Sequence, residues 1–501
     1  MEQLATLARD SRALAVLAVP LALTQLAQVA LTTTDTIMMG LLGTEALAAG
    51  GLALVIFNQL RTMGVGLVTS VGNQIAAAAA RAEKADRTGA DAADTQGTDT
   101  QGTDTQGTDV NGADSDGADA DGADADGDEI RALVRAAMAV ATLAGIAGAL
   151  LMIGTGRAAT LLGQDAAVAH RAQGMLAALA PGLVPCLWFQ AIRQFTVGMR
   201  RPQALLQITL ASVAVNAALD WGFIHGTFGL PELGLTGIGV ATSSVYLLSF
   251  LALHASARRD AELAPLLRLD FWRADAPTVR RLLVLGTPIA ATYGSEAGFF
   301  FVTALFAGSF GAAALAAHTA VNQLVYIVFQ VAVGLSHAAS LNVSRELALG
   351  DLTAARRIKN TALACGAAVT TLVGILCLTV PRLVLRPYFD PGAPADQQGL
   401  EIATGLLVIV AVLQFFDCAQ NIGVGLLRGL DDTKSGFRIT LIGYWAVGLP
   451  ASWLLAYPLG GETRGLWLGL LIGLATTALL LLRRYGRALN RIAPAPAAVG
   501  G

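Results

Sequence analysis

Apolar residues along this chain gather in twelve long runs, at about 13–40, 46–78, 131–155, 172–197, 203–225, 235–257, 279–306, 312–341, 361–381, 399–427, 436–457 and 464–484. Most reach the roughly 20 residues that an α-helix needs to cross about 30 Å of hydrocarbon. Backbone amides in lipid must bond within their own segment, so each run is expected to be a helix. Basic residues between the runs test that count independently. With a cytoplasmic N-terminus, the inner loops hold Arg81, Lys84, Arg87, Arg131, Arg135, Arg200, Arg201, Arg258, Arg259, Arg280, Arg281, Arg356, Arg357 and Arg428 among others, and the tail holds Arg483, Arg484, Arg487 and Arg491. The outer loops hold only Arg157, Arg171, Arg382, Arg386 and Arg464. Adding or removing one helix scrambles this asymmetry, so twelve helices with both termini inside is the expected topology.

The runs also repeat. One constant offset carries Pro20 onto Pro288, Gly43 onto Gly311, Leu47-Ala48-Ala49 onto Leu315-Ala316-Ala317 and Val65-Gly66-Leu67 onto Val333-Gly334-Leu335. Later the offset shortens, with Phe189 on Phe416, Val197-Gly198 on Val424-Gly425 and Gly237 on Gly465. The deficit matches an insertion in the first half, about 83–128, where TQGTD repeats are followed by DSDGADADGADADGDE. With almost no large apolar residue and a high negative charge, that segment is expected to be a disordered, solvated linker. Its Asp-Gly spacing does not complete an EF-hand loop.

An even number of helices separates equivalent positions, so the halves are parallel repeats. The expected fold is an all-α integral membrane protein, with two six-helix bundles related by a pseudo-two-fold axis along the membrane normal. The first lobe spans 1–257, a cytoplasmic linker 258–278, the second lobe 279–485 and a tail 486–501.

Composition agrees. Of 501 residues, 54% are hydrophobic and 14% charged, against about 25% charged in a soluble domain. The net charge of −3 hides a basic protein carrying an acidic insertion. Basic residues that are almost all Arg, with abundant Ala and Gly, suggest a GC-rich bacterial genome, and the expected location is the bacterial plasma (inner) membrane. Cys186, Cys365, Cys377 and Cys418 all lie in apolar runs without metal-ligand spacing and read as small core residues. No cleavable leader is expected, because the first run is long and carries Asp35.

Ionisable side chains within the bilayer cost roughly 2.5–3.5 kcal/mol each, so each requires a reason. Asp35, Asp220, Glu296 and Asp417 stand out, and their repeat partners are mostly not acidic: Glu296 falls on Gln28, Asp417 on Gln190 and Asp35 on Thr303. A packing role would more readily persist in both halves, so the asymmetry favours function. Asn216 and Asp220 share one helix face, and Asp35 and Thr242 lie at comparable depth. Carboxylate, amide and hydroxyl oxygens of that kind suit sodium, and a desolvated Asp suits a proton. Asp220 lies near a helix end and could simply face water.

Glu296 and Asp417 could share a cavity, where two close carboxylates would hold a proton or cation. Arg61 is a counter-charge, a cavity residue or a snorkelling side chain. Phe57, Trp188, Phe299, Phe300, Phe301, Phe329 and Phe415 offer an apolar wall, although any one of them is more often a packing or lipid-facing residue. The expected site is a wet cleft between the bundles, since transporters commonly bind at repeat interfaces near the midplane.

The strings VPLALTQLAQVALTTTDTIMMG, FQAIRQFTVGM, FGLPELGLTGIGVAT, GLSHAASLNVSRELALGD, LLRGLDDTKSGFRITLIGYWAVGLP and GLWLGLLIGL together resemble the multidrug and toxic compound extrusion (MATE) family. They span nearly the whole chain outside the insertion. The resemblance implies a V-shaped pair of bundles exporting organic cations in exchange for sodium or protons. It carries coupling roles to Asp35, Asn216, Asp220 and Thr242 in the first lobe and to Glu296 and Asp417 in the second. Two positions depart from the family pattern. Its usual Ala-His-Gln is Ala317-His318-Thr319 here, and a tyrosine often found four residues before the acid at 417 is Leu413.

Small organic substrates and membrane lipid are the expected partners. No nucleic acid and no cofactor beyond the coupling ion are expected, and the chain should act as a monomer. A flippase for lipid-linked sugars is the nearest alternative, and the acid at 417 and the short twelve-helix plan speak against it. An intramembrane enzyme lacks an HExxH, a GxSxG or a Cys/His dyad. A passive channel or anchor would not explain acids placed differently in the two halves. If the acidic stretch is only a spacer, deleting 83–128 should leave transport by properly inserted protein unchanged, measured as substrate efflux.

Overall fold

The computed structural model describes residues 2–98, 116–158, 166–390, 392–394 and 396–492. Twelve long helices account for the architecture. In the first half they are α1 (Glu2–Leu41), α2 (Thr44–Thr98), α3 (Asp116–Ala158), α4 (Ala166–Gly198), α5 (Gln203–His225) and α6 (Leu235–Arg259). In the second they are α7 (Ala276–Ser309), α8 (Ala312–Leu349), α9 (Leu352–Thr379), α10 (Gln397–Gly429), α11 (Thr433–Ala456) and α12 (Glu462–Ile492). Each contains a stretch apolar and long enough to span a membrane. Single turns at Phe271–Arg273 and Pro381–Leu385 lie in the connections.

The acidic insertion departs from its expectation at both ends. Backbone helix runs on through Thr98 and resumes at Asp116, while 99–115 lie outside the described residues. The Ala, Glu, Lys and Arg content at 79–87 favours continuation of an established helix over a break. Glu83 is moreover not a spacer residue: it bonds Arg345 of α8 and Arg87 on its own helix. The stretch that can be spared therefore begins beyond Arg87.

Within each half the helices form one bundle, but the strongest packing between halves is exchanged. α1 packs on α8 and α2 on α7, with α2 and α8 meeting at the axis. Small residues make these crossings possible. A Cβ on Gly66 would lie 2.6 Å from Ala290 Cα, and one on Gly334 would lie 2.7 Å from Ala22 Cα. Ala22 pairs with Ala290, and Gly66 with Gly334, at the first repeat offset. The two crossings are thus the same contact made twice. Thr24 and Thr292, another pair at that offset, each return a hydroxyl bond to the carbonyl of Pro20 or Pro288, at 2.7 and 2.9 Å.

The apolar core shows where the lobes part. One cluster at the Arg-rich end joins both halves, running from Leu17, Val71 and Phe195 to Leu282, Leu341 and Leu426. Toward the opposite end it splits into a first-lobe cluster around Phe57 and Met175 and a second-lobe cluster around Phe299 and Leu406. Polar ties follow the same division. Asn73 and Ser340 bond reciprocally at 2.9 and 3.2 Å, and Gln74 donates to Asp431 at 2.8 Å and accepts from Arg281. Arg345 meets Glu83, and Arg200 donates to Asn342 at 3.3 Å. Among the described residues, these side-chain bonds between the lobes lie at the Arg-rich end.

Equivalent crossings should respond equally. Gly66→Ala and Gly334→Ala are each expected to destabilise the detergent-solubilised protein by about 1–3 kcal/mol through overpacking. Gly51→Ala, where an added Cβ meets nothing within 4 Å, should be neutral in the same thermal-unfolding measurement.

Candidate functional site

The first lobe brings its four predicted residues together. Asn216 projects from α5 between Asp35 on α1 and Asp220 one turn onward. Its Nδ2 donates to Asp35 Oδ1 at 2.6 Å and to Asp220 Oδ2 at 2.8 Å. Thr242 on α6 donates to Asp35 Oδ2 at 3.3 Å and is held by Ile238 O at 3.0 Å. All four side chains are buried, Asp220 completely, so the thought that Asp220 merely faces water is not what the packing shows. Asn216 Oδ1 and Asp220 Oδ1 are buried without a hydrogen-bond partner. Together with the Asp35 carboxylate and the Thr242 hydroxyl they offer a small set of hard oxygens, of a kind that fits sodium or a proton.

The second lobe repeats the device with other residues. Gln420 Nε2 reaches Glu296 Oε1 at 3.4 Å and Asp417 Oδ1 at 3.5 Å. Tyr444 donates to Gln420 Oε1 at 2.7 Å and stands 3.2 Å from Glu296 Oε1. Asn421 Nδ2 lies 3.3 Å from Asp417 Oδ1, and Asp417 Oδ2 is buried without a partner. In both lobes one primary amide bridges two acids. None of the four acids forms an ion pair among the described residues.

Gln420, Asn421 and Tyr444 escaped the sequence reading. Gln420 lies three residues after Asp417, on the same helix face. Tyr444 aligns with Asn216 at the later repeat offset, so it occupies the bridging amide's equivalent position. It reaches Glu296 through a local π turn, Ile442–Gly448. Pro450 has no amide to give the carbonyl of Ala446, which favours such a turn. α12 comes close enough that a Cβ on Gly443 would overlap the Thr477 hydroxyl and one on Gly448 would lie 3.2 Å from Gly473 Cα.

Each lobe also contains a small cavity of its own. The first-lobe chamber is lined by Gln28, Arg61, Phe189, Ser212, Tyr246 and Ser249, among others. The second includes Tyr293, Glu296, His337, Gln420, Arg428 and Tyr444. Arg61 is therefore a chamber residue, bonded to Asn58 Oδ1 at 3.3 Å. The predicted aromatic wall divides. Phe57 and Phe299 are buried in the two outer clusters, and Phe299 stacks on Tyr444 with centroids 4.9 Å apart. Trp188 bonds Thr142 at 2.8 Å, while Phe301 and Phe415 are exposed on the helix exterior. Of the two positions departing from the family pattern, His318 is buried beside Trp467 and Leu413 is in the core.

The MatE family pattern matches residues 20–86, 124–221 and 288–454. A probable multidrug resistance protein NorM of Mesorhizobium japonicum is 33% identical over 494 residues, covering 98% of this chain and 96% of the relative. A probable NorM of Pseudomonas aeruginosa is 34% identical over 487 residues, 97% of this chain and 91% of the relative. Among solved structures, the Vibrio cholerae MATE transporter VcmN in the bent form superposes with a TM-score of 0.76 at 15% identity, covering 97% of this chain and 98% of that one. A multidrug resistance MATE family transporter in an outward-facing conformation gives 0.79 at 15%, covering 96% of each chain. With that pattern matched across most of both halves, and with near-full-length relatives identical at a third of their positions, the chain is a multi-pass membrane protein of the MatE family.

Proposed function

We propose that this protein is a secondary active exporter of amphipathic, often cationic, organic compounds, driven by antiport of sodium or protons across a bacterial plasma membrane. The observation that carries the reading is the pair of amide-bridged diacid clusters. A carboxylate in a low-dielectric interior is costly unless matched by charge or proton. An amide brings hydrogen bonds but no charge. Asp35 with Asp220, and Glu296 with Asp417, therefore favour uptake of a small cation. Release of that cation on one side and cargo on the other couples the two flows. The multidrug resistance names of the relatives support efflux as the direction.

The basic loops favour a cytoplasmic position for the tied end of the lobes. With that orientation the separated outer ends face outside, and the coupling clusters load from there. The first-lobe cluster has the oxygens for sodium, and both clusters can take protons.

Everted vesicles should show substrate-dependent collapse of an imposed sodium or pH gradient, tested separately. Asp35→Asn and Glu296→Gln are each expected to reduce that exchange at least tenfold, since each removes an ionisable partner worth several kcal/mol in this setting. Normal exchange in both variants, at wild-type expression, would show that the coupling ion binds elsewhere.

A further inference from the structure

The second-lobe cavity holds more than its acids. Glu296 shares the wall with two basic side chains, Arg428 of α10 and His337 of α8. Arg428 is only 4% exposed and His337 only 7%. Arg428 Nη2 donates to Tyr293, another wall residue, at 3.3 Å, while Arg428 Nε and His337 Nε2 are buried with no hydrogen-bond partner. Among the described residues neither side chain forms an ion pair. The acids that follow Arg428 in sequence are engaged elsewhere, Asp431 by Gln74 at 2.8 Å and Asp432 by Arg484 at 2.7 Å. Glu296 Oε1 is held by Tyr444 and Gln420. The hydroxyls of Thr292, Ser336 and Thr440 in the same wall each donate to a backbone carbonyl.

The repeat shows how an arginine at this position is met when acids are within reach. Arg201 corresponds to Arg428 at the later offset. It pairs with Asp260 at 2.8 Å and also with Glu262, although its side chain is 33% exposed. The copy in water thus has two carboxylates and the buried copy has none. Arginine does not escape by losing its proton, and a buried charge left unpaired is costly. An anion in the cavity would meet the charge and accept from both unpartnered groups, since a neutral histidine also has one ring N–H to give.

Size and charge narrow the class. One guanidinium calls for a monovalent anion. The cavity leaves about 10 Å³ to the centres of water-sized groups, the scale of a monatomic ion and not of a drug-sized acid. We infer that Arg428 and His337 form a site for a small halide, chloride in size, which fills as Glu296 and Asp417 are neutralised. An ionised Glu296 in the same wall competes for the field of Arg428, and a proton or cation on the acids releases it. By reciprocity the anion in turn favours loading of the acids. That linkage deepens the exchange reading and rests on it; the anion site itself does not.

The test is equilibrium binding of radiolabelled chloride to the purified full-length protein in detergent, in alkaline, sodium-free buffer, with gluconate replacing chloride at constant ionic strength. Wild type should show one saturable site. Arg428→Gln should weaken it at least tenfold and His337→Ala about threefold, as expected for loss of a charged and a neutral donor. Glu296→Gln should tighten it roughly tenfold, because a like charge leaves the cavity. Arg268→Gln, at an exposed position in the connection between the lobes, should change nothing. If Arg428→Gln does not fold, bromide in wild-type crystals decides the question. Its anomalous peak should lie within hydrogen-bond reach of Arg428 Nε and His337 Nε2.

Absence of saturable binding, unchanged affinity in Arg428→Gln, a bromide peak elsewhere, or no tightening in Glu296→Gln would each overturn the inference. So would displacement of chloride by a rhodamine with a free benzoate but not by its methyl ester, because the site would then belong to a carboxylate of the cargo. Failure of everted vesicles to exchange sodium or protons counts against the exchange reading alone, and leaves a chloride site lost in Arg428→Gln in place, since binding is read without a gradient.

Discussion

A carboxylate removed from water must be met by a proton, a cation or a set of donors, and the protein answers that demand twice with the same group. In each lobe a neutral amide, Asn216 or Gln420, divides its two N–H bonds between two acids. The amide fixes the acids in place without settling their charge. A lysine or arginine there would have paired permanently with the acids and removed any need for a further cation. The choice of amide over ammonium thus separates a cluster that can exchange ions from an ordinary buried salt bridge. The unpartnered oxygens of Asn216, Asp220 and Asp417 are the same incompleteness seen atom by atom.

Around these clusters the frame is symmetric and the chemistry is not. Gly66 against Ala290 and Gly334 against Ala22 are one contact in two copies, because close helix crossing depends only on small side chains and tolerates little drift. Polar positions are free of that constraint. Asp35 and Asp220 have no acidic counterpart at Thr303 and Gly448, and Thr242 has no polar one at Leu470. Gene duplication would leave such a pattern wherever packing holds both copies and each lobe acquires its own ligand set.

Much of this was legible in the residues. The twelve helices follow from the length of the apolar runs and the charges between them, which are strong and redundant signals. Asp35, Asn216, Asp220 and Thr242 could be grouped because charge in lipid is conspicuous and two of them share a helix face. Gln420 and Tyr444 were not found, because an uncharged polar residue in a membrane helix costs little enough to need no special explanation. The π turn that turns Tyr444 toward Glu296 also breaks the regular helical periodicity on which face assignments depend. The ends of the acidic stretch were misjudged for a related reason. Composition weighs residues one by one, whereas a long helix already formed extends cooperatively into its flanks. The separate chambers were beyond reach, since they depend on how α4, α8 and α10 pack and not on any local pattern.

The closed end carries a further consequence for motion. Its closest helix approaches are made at glycine and alanine in the α1–α8 and α2–α7 crossings, with backbone meeting backbone. At those crossings the contact comes from proximity of small side chains and backbone, while the larger apolar side chains of both halves pack around them. Polar ties across the seam among the described residues include buried Asn73 with Ser340 and, nearer the rim, Glu83 with Arg345. The partly exposed Glu83–Arg345 pair contributes about 1 kcal/mol or less. On the proposed exchange reading, such a seam would have to close one face firmly and still give way when a small cation binds in the clusters.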